Sequence, residues 1–79
     1  MDIVNDFRRI VQTSDVMGGK PCIRGTRVTV ARILSQIGSG QSIESLLEDY
    51  PYLCHEDILE ALRYAAWLTE EREVEIAKV

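Results

Sequence analysis

Several features are missing from this 79-residue sequence, and each absence excludes a class of protein. No apolar run approaches the ~18 residues that a membrane-spanning helix requires. The first residues lack a basic segment leading into an apolar one, so we expect no secretory signal and a cytoplasmic protein. With one histidine and two cysteines, Cys22 and Cys54, a structural zinc site is not expected. Free thiols are favoured over a disulfide in this context.

The short length permits one domain, spanning residues 1–79, with only a small core. Apolar residues make up 46% of the chain and charged residues 28%, which is typical of a globular rather than a disordered protein. Since so small a core provides little net stability, we expect the chain to form a homodimer.

The net charge of −4 conceals an uneven distribution of charge. Residues 1–40 contain six basic and three acidic residues, whereas residues 41–79 contain three basic and ten acidic ones. This polarity predicts one basic and one acidic surface, and hence two different partners. The alternative, that both are merely solvated surfaces, is equally compatible with the sequence.

The first half of the chain is predicted to be extended. β-branched residues at 9–13 predict a short strand, which we expect to pair with a second strand at 26–28. Between them, the Gly-Gly-Lys-Pro segment at 18–21 predicts a loop, because glycine and proline favour unusual or fixed backbone conformations. Residues 8–29 are therefore interpreted as a small β element with a basic loop.

The second half is predicted to contain three helices over residues 30–68 and a charged helical tail over residues 69–79. Apolar residues at helical spacing follow Thr29 and again follow Ser42, and each of these hydroxyl residues can cap a helix. The third helix is predicted to begin near His55. A short helix, a turn and a longer helix form a helix-turn-helix, with the preceding helix completing a three-helix core.

The third predicted helix has an acidic surface where a DNA-reading helix would be basic. Its exposed positions are predicted to be His55, Glu56, Asp57, Glu60, Arg63 and Tyr64. Negative charge is unfavourable near phosphates, so the spacing alone leaves open a DNA-binding helix or a plain helical hairpin. Trp67 and the tyrosines are interpreted as core or interface residues, because no basic residues alternate with them.

Motifs for catalysis are weak. Gly19 and Lys20 do not form a phosphate-binding loop, because Pro21 follows and no helix is predicted to begin there. Cys54 and His55 are adjacent at a helix start, where neighbouring side chains do not generally face each other, and no orienting group accompanies them. We therefore predict no catalytic residues, no metal, no cofactor and no enzymatic activity.

Two sequence blocks resemble a known family. Residues 19–28 read Gly-Lys-Pro-Cys-Ile-Arg-Gly-Thr-Arg-Val, and residues 47–53 read Leu-Glu-Asp-Tyr-Pro-Tyr-Leu. The second block continues with Glu-Asp-Ile at 56–58 and Ala-Leu-Arg-Tyr-Ala at 61–65. These blocks, in this order and covering residues 8–68, resemble the bacterial domain-of-unknown-function family numbered 433.

The resemblance implies a mostly α fold: a small N-terminal β element followed by a trihelical, homeodomain-like helix-turn-helix core. It also implies the antitoxin half of a type II toxin–antitoxin pair, with a PIN-like RNase toxin as partner and operator DNA as a further partner. Two alternatives remain open. One is a stand-alone DNA-binding regulator, and the other is a protein-interaction module whose helix-turn-helix no longer binds DNA.

The uneven charge also predicts which residues meet each partner. The residues predicted to contact DNA are basic: Arg8, Arg9, Lys20, Arg24, Arg27, Arg32 and Arg63. The residues predicted to contact a protein partner lie in the charged tail: Glu70, Arg72, Val74 and Ile76.

Overall fold

A computed structural model describes residues 2–4 and 7–71, which form a small antiparallel sheet followed by three helices. The predicted fold class is confirmed. The elements are, in chain order, β1 (Asp2–Val4), β2 (Phe7–Gln12), β3 (Cys22–Ile23), α1 (Val30–Gly38), α2 (Ile43–Asp49) and α3 (His55–Glu71).

The sheet has the order β1-β2-β3, with β2 at its centre. β2 confirms the predicted first strand, but the predicted pairing of this strand with residues 26–28 is wrong. β2 pairs instead with β3, where Ile10 lies opposite Ile23. The physical reason is a tight turn directly after β3, because the backbone N–H of Ile23 donates to the carbonyl of Val28 at 2.9 Å. Residues 26–28 therefore fold back on β3. The sequence did not predict β1.

The first two helices begin at the predicted caps. The Thr29 hydroxyl accepts a hydrogen bond from the backbone N–H of Arg32 at 3.0 Å. The Ser42 hydroxyl accepts one from the backbone N–H of Ser45 at 3.0 Å. Both bonds satisfy an N–H group that a helix start would otherwise leave unpaired. α2 ends at Asp49, just before Pro51.

α3 begins where it was predicted, but two of its side chains are buried rather than exposed. Asp57 is 8% exposed and Tyr64 is 4% exposed, so the predicted exposure of these two residues is wrong. The Asp57 carboxylate turns back to accept the backbone N–H of Cys54 at 2.9 Å, which caps the helix. The Tyr64 ring packs edge-on against the ring of Phe7, with centroids 5.4 Å apart.

The core lies between the sheet and the three helices. Its buried members are Ile10, Ile23, Val28, Val30, Ile33, Leu46, Leu53, Ile58, Ala61 and Tyr64. Cys22 is 1% exposed and fills space beside this core as a small apolar side chain. α3 continues through Glu71, whereas Arg72, Val74 and Ile76, three of the predicted partner contacts, lie outside the described residues. None of the helices in the described ranges has the length and apolar character needed to cross a bilayer.

Candidate functional site

The segment between β2 and α1 holds a group of exposed basic side chains. It begins with a 3₁₀ turn at Met17–Gly19, whose end is tied to the sheet because the Gln12 side-chain amide donates to the Gly19 carbonyl at 3.0 Å. Lys20 follows immediately and is exposed. The turn therefore fixes the backbone from which the Lys20 side chain extends.

A second turn presents Arg24. The backbone N–H of Thr26 donates to the Ile23 carbonyl at 3.0 Å, and the Thr26 hydroxyl donates to the same oxygen at 2.8 Å. The backbone N–H of Arg24 donates to the Arg9 carbonyl at 2.7 Å. Gly25 has a φ of +79°, a conformation that side chains with a Cβ disfavour. These bonds hold the exposed Arg24 at the tip of a turn with a defined backbone.

Three cavities surround these turns, and each has at least one basic side chain in its wall. The first, about 270 Å³, is lined by Val11, Lys20 and Arg27 among others. The second, about 460 Å³, is lined by Arg24, Gly25, Thr26 and Tyr52. The third, about 210 Å³, includes Arg27, Arg32, Tyr50 and Tyr52. We call the four basic side chains that line these cavities, Lys20, Arg24, Arg27 and Arg32, the basic face.

The basic face has no carboxylate partners within the part of the chain that the structure describes. Every ion pair found there contains either Arg9 or Arg63. All four side chains of the basic face are exposed. Arg8 is exposed as well, but it lines none of the three cavities. The basic face can therefore offer uncompensated positive charge to an anionic partner.

Arg9 is engaged within the protein. Its Nη1 lies 2.9 Å from Oδ1 of Asp57 and 3.5 Å from Sγ of Cys54. Its backbone N–H donates to Oε2 of Glu60 at 2.6 Å. The hydrogen bond to Asp57 is the main reason that the pKa of Arg9 is raised above its ordinary value. A DNA contact by Arg9 stays a prediction, and we do not count Arg9 in the basic face.

Arg63 is also paired. Its Nη2 lies 3.2 Å from Oε2 of Glu56 and 4.0 Å from Oε1 of Glu60. Both Arg63 and Glu56 are about half exposed, so this pair is held at the surface. The start of α3 therefore presents acidic groups, of which Glu56 is exposed, and Arg63 offsets their charge only in part.

Exposed carboxylates concentrate on the helices. Those on α2 and α3 are Glu44, Glu48, Asp49, Glu56 and Glu70. We call these five the helical acids. Glu70, the one predicted tail contact within the described side chains, is exposed near the end of α3. The basic and acidic surfaces expected from the charge distribution thus belong to different structural elements.

Tyr52 is the residue that sequence reasoning missed. The tyrosines were interpreted as core or interface residues, but Tyr52 is 65% exposed and is not part of the core. It stands in the turn between α2 and α3, beside Arg24 in one cavity and beside Arg27 in another. Pro51 signalled a turn here. Nothing in the sequence indicated that arginines more than twenty positions away would lie beside Tyr52.

No catalytic or metal-binding group of side chains was predicted from the sequence. The structure shows where Cys54, His55 and the possible metal ligands lie. Cys54 and His55 are both exposed at the start of α3, and the Cys54 thiol contacts the guanidinium of Arg9. Within residues 2–4 and 7–71, no three histidine, cysteine or acidic side chains lie close enough together to hold a metal ion.

Three comparisons relate this chain to other proteins. Residues 10–65 match a family described as "Protein of unknown function (DUF433)". Over 66 residues the chain is 44% identical to the uncharacterized protein y4eO of Sinorhizobium fredii. This alignment covers 82% of this chain but only 30% of y4eO. The chain also resembles the crystal structure of a DUF433 member from Anabaena variabilis, with a TM-score of 0.75 and 33% identity. That match covers 80% of this chain and 62% of the other, so this chain spans less than two thirds of the length of either relative.

Proposed function

We propose a function for this chain on the basis that it belongs to the DUF433 family. The protein is the non-enzymatic antitoxin of a type II toxin–antitoxin pair, and it acts as a homodimer. Its basic face binds operator DNA, and its helical acids bind a PIN-like RNase toxin. The observation that carries this proposal is the separation of exposed charge: the basic face lies on the loop segment and the first turn of α1, and the helical acids lie on α2 and α3.

The case for DNA rests on the unpaired cations. Lys20, Arg24, Arg27 and Arg32 are exposed, and two of them extend from turns whose backbone is fixed by hydrogen bonds. Contacts from Lys and Arg to phosphates supply most of the affinity of a protein for duplex DNA. α3 cannot serve as the main source of this attraction, because acidic groups surround its first turns.

The case for a toxin rests on the helical acids. An RNase must bind a polyanionic substrate, and it therefore carries a basic surface around its active site. A surface rich in carboxylates is electrostatically complementary to such a region, which favours fast and specific association. In this proposal the antitoxin inhibits by covering the active site at a one-to-one ratio of chains.

The experiment first asks whether a PIN-like RNase gene lies beside the gene of this protein, and then titrates RNA cleavage by the product of that gene with this protein. We expect cleavage to stop once antitoxin and toxin chains are equimolar. The double variant Glu44→Lys/Glu48→Lys, which reverses charge on the exposed surface of α2, should inhibit only at higher concentration. Asp15→Lys is the matched control, since Asp15 is an exposed acid outside the helices. Full cleavage at a large excess of wild-type protein, or the lack of such an RNase gene, refutes the antitoxin role.

A second candidate function is favoured by one observation. The start of α3, which enters the major groove in helix-turn-helix DNA binders, is acidic in this protein. A protein-interaction module that has lost DNA binding would carry such a helix. Inhibition of the RNase together with no binding to the promoter of its own gene would favour this module over an operator-binding antitoxin.

A further inference from the structure

Tyr52 is an exposed aromatic ring that lines two cavities, each of which is also lined by arginine. It is 65% exposed, the largest exposed fraction among the large apolar side chains of the described residues. The second cavity, which Tyr52 lines, is also lined by Arg24. The third cavity, which Tyr52 lines as well, is also lined by Arg27 and Arg32. Tyr52 forms part of the wall of both cavities.

The turn that carries the ring is anchored, and one neighbouring ring contacts it. Tyr50 lies edge-on to it, with ring centroids 6.2 Å apart and an interplanar angle of 71°. The turn that carries both tyrosines is closed by a hydrogen bond from the Leu53 N–H to the Tyr50 carbonyl at 2.9 Å. Leu53 is itself buried in the core. A ring presented from an anchored turn loses little conformational freedom when a ligand stacks on it.

Gly25 has no side chain, so its backbone forms part of the wall of the second cavity. Gly25 lines this cavity, and a Cβ added there would meet no heavy atom within 4 Å. A ligand can therefore approach the peptide groups of the turn closely, between the side chains of Arg24 and Tyr52.

We propose that this surface binds a single-stranded nucleic acid across Tyr52. One base stacks on the tyrosine ring, the phosphate on one side contacts Arg24, and the phosphate on the other side contacts Arg27 and Arg32. A basic groove combined with an exposed aromatic ring is the arrangement by which proteins bind single strands without reading their sequence.

The exposed ring favours a single strand over other anionic ligands. In a duplex the faces of the bases are covered by their neighbours, so a protruding tyrosine gains no stacking partner there. An acidic peptide would pair with the arginines, but its carboxylates would not cover the ring. This inference goes beyond the proposed function, because neither operator duplex nor toxin is needed for it.

The test uses fluorescence anisotropy with labelled oligo-dT and oligo-rU strands of about ten nucleotides, at low salt, where phosphate contacts are strongest. We expect Tyr52→Ala to weaken binding by roughly 5- to 150-fold, the range found when a stacking aromatic is removed. Tyr52→Phe should retain wild-type affinity, since it keeps the ring. Arg24→Ala should weaken binding and reduce its dependence on salt.

His55→Ala is the matched control, because His55 is another exposed ring but lines none of the three cavities. It should leave strand binding unchanged, and thermal melting should show that every variant is folded. Equal affinity of wild type and Tyr52→Ala for both strands overturns the proposal, as does a wild-type protein that binds neither strand. Duplex binding and RNase inhibition by Tyr52→Ala should remain at wild-type levels, so a failure here is distinct from a failure of the antitoxin role.

Discussion

Asp57 joins Arg9 of the sheet to the first turn of α3. Its Oδ1 lies 2.9 Å from the guanidinium of Arg9, although the two residues are 48 positions apart. Its Oδ2 accepts the backbone N–H of Cys54 at 2.9 Å. One buried carboxylate thus docks β2 on the third helix and caps that helix at the same time.

Replacement of Asp57 by alanine should therefore destabilise the protein more than replacement of Arg9 by alanine. Asp57→Ala removes the helix cap and the ion pair together, and we expect a loss of about 1–3 kcal/mol in the free energy of unfolding. Arg9→Ala should cost less, because 39% of its side-chain surface is exposed and the pair is partly screened by water. Urea unfolding measures both, with Asp15→Ala, an exposed acid in a loop, as control. Equal losses for Asp57→Ala and the control would contradict this role.

Gly25 should tolerate alanine poorly although there is space for a methyl group. Its φ is +79°, and no heavy atom lies within 4 Å of an added Cβ. The cost of Gly25→Ala is then purely a backbone cost, which we expect to be about 1–2 kcal/mol. Gly38 is the matched control, because it is equally uncrowded but lies at the end of α1 without a positive φ. Gly38→Ala should be neutral or stabilising by up to about 1 kcal/mol. Thermal unfolding that ranks the two variants in the reverse order would refute this account of the turn.

Stability should fall at alkaline pH, and Cys22 should account for part of the fall. Burial raises the pKa of the Cys22 thiol above its ordinary value of 9.0, and burial also raises the pKa of Tyr64. A raised pKa means that the folded state holds its proton more tightly than the unfolded state. The contribution of Cys22 to stability is therefore fully present below about pH 9 and is lost as pH rises through its folded pKa.

Urea unfolding of wild type and Cys22→Ala, measured at about pH 8 and about pH 10, tests this pH dependence. The loss of stability between the two pH values should be smaller in Cys22→Ala than in wild type, whatever the absolute stabilities. Val28→Ala, which shortens a buried side chain that carries no titratable proton, should show the wild-type loss. An identical loss in all three proteins would show that Cys22 makes no contribution.

The local structure of the helices could be predicted from the sequence because its causes are local. Thr29 and Ser42 cap helices through residues three positions further on, and Pro51 ends α2 from two positions away. The apolar spacing likewise identified buried residues such as Ile33 and Leu46. Each of these features depends on neighbours within one or two helical turns.

The features that the sequence did not reveal depend on contacts between distant residues. Residues 26–28 have the composition of a strand, but the turn around Gly25 returns them to β3 before they can reach β2. Asp57 was predicted to be exposed because nothing near it in sequence indicated Arg9 as a partner. Tyr52 meets Arg24 and Arg27 only because the loop segment packs beside the turn between α2 and α3. Helical periodicity and composition do not encode such contacts.

A homodimer is expected, with the C-terminal part of α3 in its interface. Leu68 is 37% exposed, and the neighbouring Trp67 is only partly buried although it packs 5.8 Å from the ring of Phe7. Burial of this apolar surface against a second copy would stabilise a dimer. Leu68→Glu should shift sedimentation equilibrium at micromolar concentration toward the monomer. Met17→Glu, at a 42% exposed apolar residue in the loop, should not. A wild-type protein found only as monomer would contradict the expected dimer.

Binding to duplex DNA should depend on the basic face and not on α3. Each phosphate contact that is lost should lower the slope of log affinity against log salt concentration by about 0.9. We expect this reduction for Arg24→Ala and for Arg27→Ala, since both side chains are exposed and make no ion pair within the described residues. Arg63→Ala should leave the slope unchanged, because Arg63 lies outside the basic face and already pairs with Glu56 on α3.

The measurement is fluorescence anisotropy over a salt series, with a duplex taken from the promoter of the protein's own gene. Arg63→Ala is the matched control for the two loop variants, because it removes one exposed arginine from α3 rather than from the basic face. If only Arg63→Ala weakens binding, α3 is the element that contacts DNA and the assignment of the basic face is wrong. If the two loop variants lower the slope while Arg63→Ala does not, phosphates are contacted by the turns that Gly25 and the Met17–Gly19 segment shape. The three helices then serve as the scaffold that holds those turns against the duplex.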